Sequence, residues 1–391
     1  MPAAAAAENY NKDDNMETRK LKPSEHGRTR SLWEAVFPDD TKAFLDYYYN
    51  IKTIGNEIYV AENQNHEICS MLQLNPYMMQ LGERKFNSHY IVGVATREDY
   101  RKRGLMRELL HASLLNMYAR GEIFTFLMPA AEAIYRPYDF RFVYRQKQGI
   151  VKGKRDEKAE YVFRNAIPED CEAMAEFARE QLTPYQVYAK RDAAYYAVMQ
   201  KEQVSENGSV MLIQKGDILT GFFAYAKSDN EYEIREPLLA EGYEDAFLHA
   251  VYRLTGDESA AVKCYGVETA VNDAVSKPII MFRILHPEAV FEVIKAMDTL
   301  DVYLNITDPI ITDNNGCFHL TAAAGKTVRA VKMTEHQEAD TITVAELASL
   351  LFGYLGLDEI NSEEGVSLSA ETAAQLEKLQ PLSKIFLNEI V

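Results

Sequence analysis

The chain has 391 residues, 47% hydrophobic and 26% charged, which predicts two or three domains with sizeable cores, and no run approaches the roughly 20 apolar residues of a membrane span. Forty-two Lys and Arg against 59 Asp and Glu leave a formal net charge of −17. Such a field repels phosphate backbones and anionic headgroups and attracts cations, which argues against nucleic acid and acidic membrane as partners.

Residues 1–15 are an alanine run followed by polar residues, with neither a basic n-region nor an apolar h-region; they read as a disordered leader on a cytoplasmic protein. From residue 16 the pattern predicts two helices carrying Leu32, Trp33, Val36 and Phe37, then Phe44, Leu45, Tyr47 and Tyr48, separated by Pro38-Asp39-Asp40. Short apolar runs at 57–60, 68–74 and 90–95 read as antiparallel strands of one sheet. Arg101-Lys102-Arg103-Gly104 then opens a helix with Leu105, Leu109, Leu110 and Leu114 on one face, ending at Gly121 and followed by a strand at 123–128. Strand, basic glycine loop, helix and strand make one β-α-β unit closing a parallel pair.

A charged break at 153–158 places the first boundary near residue 150. Residues 151–277 repeat the order of the first domain without its basic glycine loop. From 278 to 391 an apolar run at 279–284, short strands, and helices near 290, 343–354 and 368–379 predict a third, α+β domain. The whole reads as α+β, mixed α/β. The tail carries Ile385, Phe386, Leu387, Ile390 and Val391, and an apolar end is expected to be tied down, either completing the third domain's core or docked near a cleft.

A basic turn at a helix start offers backbone N–H groups, the positive helix end and cationic side chains to a diphosphate. A solvated basic turn is the plain alternative; the position between two strands favours binding. Neither G-x-x-x-x-G-K-[ST] nor G-x-G-x-x-G occurs, so P-loop and Rossmann nucleotide chemistry lose support. Cys69, Cys171, Cys264 and Cys317 form no C-x-x-C pair and the eight histidines are scattered; no disulfide framework and no metal site is expected.

The stretch from Val92 to Arg107 resembles motif A of the GNAT acetyltransferases, R/Q-x-x-G-x-G/A, with Met106 in place of the final small residue. Together with residues 129–140 and the ending Asn388-Glu389-Ile390-Val391, it is similar to the Eis (enhanced intracellular survival) branch of that superfamily. The resemblance covers about 16–391 and implies an N-terminal GNAT domain, a degenerate second one, and a sterol-carrier-like third. It implies acetyl-CoA as co-substrate, with Val94, Ala95 and Thr96 on its pantetheine and thioester, Lys102, Arg103, Gly104, Leu105, Met106 and Arg107 on its pyrophosphate, and Ala130 and Ala131 on the far wall. It assigns Tyr135 as general acid, where the residues alone leave Tyr138 an equal rival. The Val94 N–H becomes the oxyanion donor and the α-carboxylate of Val391 the general base. Direct acetyl transfer to a primary amine of an aminoglycoside-like or polyamine-like acceptor follows, as does a homohexamer. Asp39 and Asp40, with Glu389, suit a cationic acceptor; Trp33 suits either a wall of its pocket or a core helix position. Protein-lysine acetylation, or an acyl-CoA or apolar-ligand sensor without catalysis, are the alternatives.

Overall fold

The computed structural model describes residues 16–228, 231–266, 274–334 and 339–389; the expected leader, 1–15, and Val391 lie outside them. Strand β1 (Glu17–Lys20) leads through a 3-10 turn into α1 (Arg30–Val36), and after the expected break the Thr41 hydroxyl accepts from the Phe44 N–H to cap α2 (Lys42–Tyr47). β2 (Glu57–Glu62), β3 (Ile68–Leu81) and β4 (Arg84–Thr96) form an antiparallel meander. β3 and β4 run well past the expected strands, to a hairpin at Gly82. Polar residues between 75 and 89 hide this from an apolar pattern; the hairpin end at Glu83, Arg84 and Lys85 is exposed, while Asn75 and Ser88 are buried with partners, Asn75 accepting from Tyr48 Oη and Asn56 Nδ2 and Ser88 donating to the Phe124 carbonyl.

α3 (Leu105–Ala119) lays Leu105, Leu109, Leu110, Leu114 and Met117 against one face of this sheet, while Trp33, Phe44 and Tyr48 cover the other. β5 (Phe124–Leu127), α4 (Glu132–Tyr135) and β6 (Arg141–Lys152) complete the first unit.

The second unit is β7 (Val162–Asn165), α5 (Cys171–Gln181), β8 (Val187–Ala189), α6 (Ala193–Ser205), β9 (Ser209–Lys215), β10 (Ile218–Ser228), β11 (Glu231–Leu239), α7 (Glu244–Thr255) and β12 (Ala261–Tyr265). β9, β10 and β11 are antiparallel neighbours, and β12 returns parallel to β11 after α7. This repeats β3, β4, α3 and β5. β12 pairs with β6, so the two units share one sheet that runs from β1 to β7.

β13 (Val275–Ile284) corrects one expectation. The run at 279–284 does not open the third unit: β13 lies antiparallel between β5 and β6 in the shared sheet. Its residues from Ile279 to Ile284 are all buried, as a strand covered on both faces requires, and periodicity alone does not say which sheet such a run joins. The third unit follows with α8 (Pro287–Phe291), β14 (Lys295–Ala296), β15 (Leu300–Thr307), β16 (Gly316–Ala322), β17 (Arg329–Lys332), β18 (Asp340–Thr343), α9 (Val344–Leu351), α10 (Leu357–Ile360), α11 (Ala370–Leu376) and β19 (Leu379–Gln380). Buried Arg283 on β13 ties it down by donating to Asp308 Oδ1, which also accepts from the Ile310 and Ile311 N–H groups. In the tail, β20 (Ile385–Phe386) pairs parallel with β8, which in turn pairs with β3.

Candidate active site

β4 and β5 pair in parallel at Tyr90 and Phe126, after which β4 continues to Thr96 while β5 ends at Leu127. The strands diverge from that point and open a gap along one side of β4. Opposite, the β3 ladder steps from Gln73 to Met71 while β4 steps from Val92 to Ala95, so Gly93 and Val94 form a bulge. Gly93 has φ +58°, and a Cβ there would lie 2.5 Å from the Trp33 ring. Glycine is required by both the backbone and the indole packed on it. The bulge takes Gly93 and Val94 out of the regular ladder register.

At the mouth of the gap, Lys102 (φ 63°) and Gly104 (φ 83°) bring the chain sharply into α3, and no side chain caps that helix. Its first N–H groups remain available to an anion, and Arg101, Lys102, Arg103 and Arg107 are all exposed around them. Arg103 is oriented by donating to the Asp99 carbonyl and by lying over the Tyr100 ring. The exposed Ala130 and Ala131 follow β5 on the opposite wall. These residues fit a diphosphate at the mouth and a thioester at the bulge, as acetyl-CoA would need.

Tyr135 on α4 is buried in the apolar cluster that Val94 and Met106 pack against. Burial alone pushes its phenol up to about 12, so it stands protonated beside the bulge. Tyr138 is half-buried, edge-on to His111, and its phenol is also raised by burial. Met106, the departure from the motif, fills space in the Tyr135 cluster.

On the opposite face of the sheet from α3 lies a cavity of about 300 Å³. Lys52, Asn75, Tyr77, Lys190, Asp192, Tyr195, Glu202, Glu236 and Glu389 line it, drawn from the first unit, the second unit and the tail. Tyr77 packs against Tyr90 and Phe126 with centroids 6.2 and 5.8 Å away. Those are the two residues at which the strands part, so the cavity and the gap share a wall. Behind the cavity, Arg191 is buried between Glu236 Oε2 at 2.8 Å and Glu389 Oε1 at 3.0 Å, over the rings of Tyr195 and Phe386. Tyr47 Oη donates to Glu202 at 2.8 Å. Burial raises the Glu202 carboxyl, and it pushes Glu236 up to about 8 against the pull of Arg191.

Asp39 and Asp40 do not line this cavity; they sit at a separate surface hollow with Glu206, Glu231, Glu233 and Arg235. Of the two places the sequence left open for Trp33 it takes the core one: it is 3% exposed, tilted against Tyr48 and Phe37 and donating to Asp40 Oδ2 at 2.6 Å. It is a core residue that supports the Gly93 bulge. The carboxylates that line the cavity are Asp192, Glu202, Glu236 and Glu389. Only Glu389 was legible in the sequence; for Glu236 the signal was Glu236-Pro237 inside an apolar strand, a pair that marks a bulge. Tail residues Leu387, Asn388 and Glu389 are buried, with Asn388 accepting from Gln146 and Tyr144.

Comparison with known proteins agrees with this geometry. Residues 17–143 match the Acetyltransferase (GNAT) domain and residues 290–388 the Sterol carrier protein domain. The first unit is thus an acetyltransferase domain, and the chain is an enzyme of the acetyltransferase class. Three similar solved structures span nearly the whole chain. A probable N-acyltransferase from Enterococcus faecalis has 15% identity and a TM-score of 0.81, covering 96% of this chain and 100% of its own. A GCN5-related N-acetyltransferase from Kribbella flavida has 16% identity and a TM-score of 0.77, covering 97% and 99%. Eis1 from Mycobacterium abscessus has 15% identity and a TM-score of 0.71, covering 96% and 100%. At these identities the likeness is one of fold. Among curated proteins none matches the sequence.

Proposed function

We propose that this protein is an Eis-like N-acetyltransferase that moves acetyl from acetyl-CoA directly onto a primary amine of a cationic, polyamine-like or aminoglycoside-like acceptor. The observation that carries this reading is the shared wall at Tyr77, Tyr90 and Phe126, with a gap suited to the thioester on one side and a carboxylate-lined cavity on the other. The Val94 N–H polarises the thioester carbonyl from the bulge. The amine nitrogen bonds to the carbonyl carbon as the C–S bond breaks, and the departing sulfur takes the proton of Tyr135. Placing both reactants across one wall supplies the orientation that direct transfer requires. The hexamer and the base role of the Val391 α-carboxylate rest on the resemblance; the cavity holds four other carboxylates, Asp192, Glu202, Glu236 and Glu389.

The test is CoA-thiol release from acetyl-CoA with a panel of aminoglycosides, polyamines and lysine peptides. Turnover is expected with the polycationic small molecules. Tyr135→Phe is expected to lower kcat by about 100-fold or more while leaving the acetyl-CoA Kd unchanged. Binding of acetyl-CoA without turnover of any amine would favour a sensor instead.

A further inference from the structure

The second unit carries the same bulge as the first. Opposite Phe222 to Ala224, β11 steps from Leu238 to Arg235, so Glu236 and Pro237 stand where β4 has Gly93 and Val94. β11 also has a parallel neighbour and a following helix, as β4 does. The left-handed position is filled by Gly93 at φ 58° in one bulge and by Glu236 at φ 49° in the other. A non-glycine residue in this left-handed conformation is strained and persists only where the surroundings enforce it. Pro237 has no N–H to offer a carbonyl, and the first turn of α7 holds Glu244 and Asp245 where α3 is ringed by arginines. This bulge therefore no longer suits a thioester, and it instead aims a carboxylate into the cavity.

We propose that Glu236, presented by the second unit's bulge, holds the acceptor's ammonium in the cavity and takes its proton, in place of the Val391 α-carboxylate. This rests on the acyl-transfer reading above. The surroundings match the task. Glu236 faces Arg191 before α6, Glu202, Tyr195 and Tyr196 on α6, Glu389 in the tail, Lys52 after α2 and Tyr77 on β3. Arg191 is shared between Glu236 and Glu389, Lys52 Nζ is turned to Tyr77 Oη at 3.1 Å, and Lys190 and Asp192 complete the charged lining. Glu389, side chain fully buried, has Oε2 without a hydrogen-bond partner among the described residues. A carboxyl titrating near 8 is also far better matched to an ammonium near 10 than a terminal carboxyl near 3.5.

The proton balance is as follows. Glu236 takes one proton from R–NH3+, and the freed lone pair forms the C–N bond as C–S breaks. Sulfur takes the Tyr135 proton, the second nitrogen proton restores the phenol through solvent, and Glu236 releases its own to solvent.

The experiment is the pH profile of kcat/KM for wild type, Glu236→Gln, Glu236→Asp and a chain extended past Val391, with acetyl-CoA affinity by calorimetry. The proposal expects wild-type activity to rise through about 8. It expects Glu236→Gln to lose about 100-fold and that rise, with Glu236→Asp recovering part, the extended chain keeping the rise, and acetyl-CoA affinity the same throughout. A Glu236→Gln profile that overlays wild type, or a rise lost only on extension, overturns it. If wild type turns over no amine, the transfer reading fails by itself, and calorimetry with putrescine decides Glu236 separately: binding lost in Glu236→Gln supports the ammonium site, and equal or absent binding overturns it.

Discussion

Glu236 is an acid whose folded value, about 8, lies above its ordinary 4.5 because burial penalises the charge. The folded state therefore holds this proton more tightly than the unfolded chain. Its contribution to stability is complete below about 4.5 and declines as pH rises toward 8, by on the order of 1 kcal/mol per pH unit. Glu236→Gln cannot ionise, so the difference in urea unfolding free energy, wild type minus variant, is expected to fall between pH 5 and 8.5. A difference that stays constant would mean the side chain ionises as in water. At this scale the sequence was informative for backbone-driven positions. Gly104 and the basic residues around it were legible because helix-start chemistry is local. Glu236 and Arg191 were not, because their positions come from burial against each other and Glu389 across 45 to 198 positions of chain.

Among elements, the β-α-β unit was the most legible, since α3 has a strong helical stripe and a start signal, and β4 and β5 flank it. Its ends were less so: the hairpin joining β3 and β4 is polar and exposed, and polar residues of the flanking strands such as Asn75 are buried only through side-chain partners such as Tyr48. β13 escaped because its partners, β5 and β6, are distant in sequence. The prediction that belongs here concerns the α3 start. Reversing charge with Arg101→Glu and Lys102→Glu should raise the acetyl-CoA KM by about 10-fold or more at low salt, with the gap between variant and wild type closing as ionic strength rises. The thermal midpoint should stay within a few degrees, since both side chains are exposed. An unchanged KM would mean that the diphosphate is held elsewhere.

Across the whole molecule, three units converge on one place. The first supplies Lys52, Asn75 and Tyr77, the second supplies Glu202 and Glu236 with Arg191 behind them, and the tail threads back through β20 against β8 to deliver Glu389. The two bulges differ in what they present: one has Gly93 and Val94, whose peptide carries an N–H, and the other has Glu236 and Pro237, a carboxylate and a residue without one. Among the described residues no helix is long and apolar enough to cross a membrane, and the net charge of −17 draws cations toward the carboxylate-lined cavity. The central claim is direct transfer between the two halves. It is tested by mixing the protein with one equivalent of labelled acetyl-CoA and excess diamine in a single turnover, then following both protein and amine by mass spectrometry. The account predicts label appearing on a diamine nitrogen in step with thiol release, with the protein unmodified throughout; label retained on the protein, or thiol released with no acetylated amine, would contradict it.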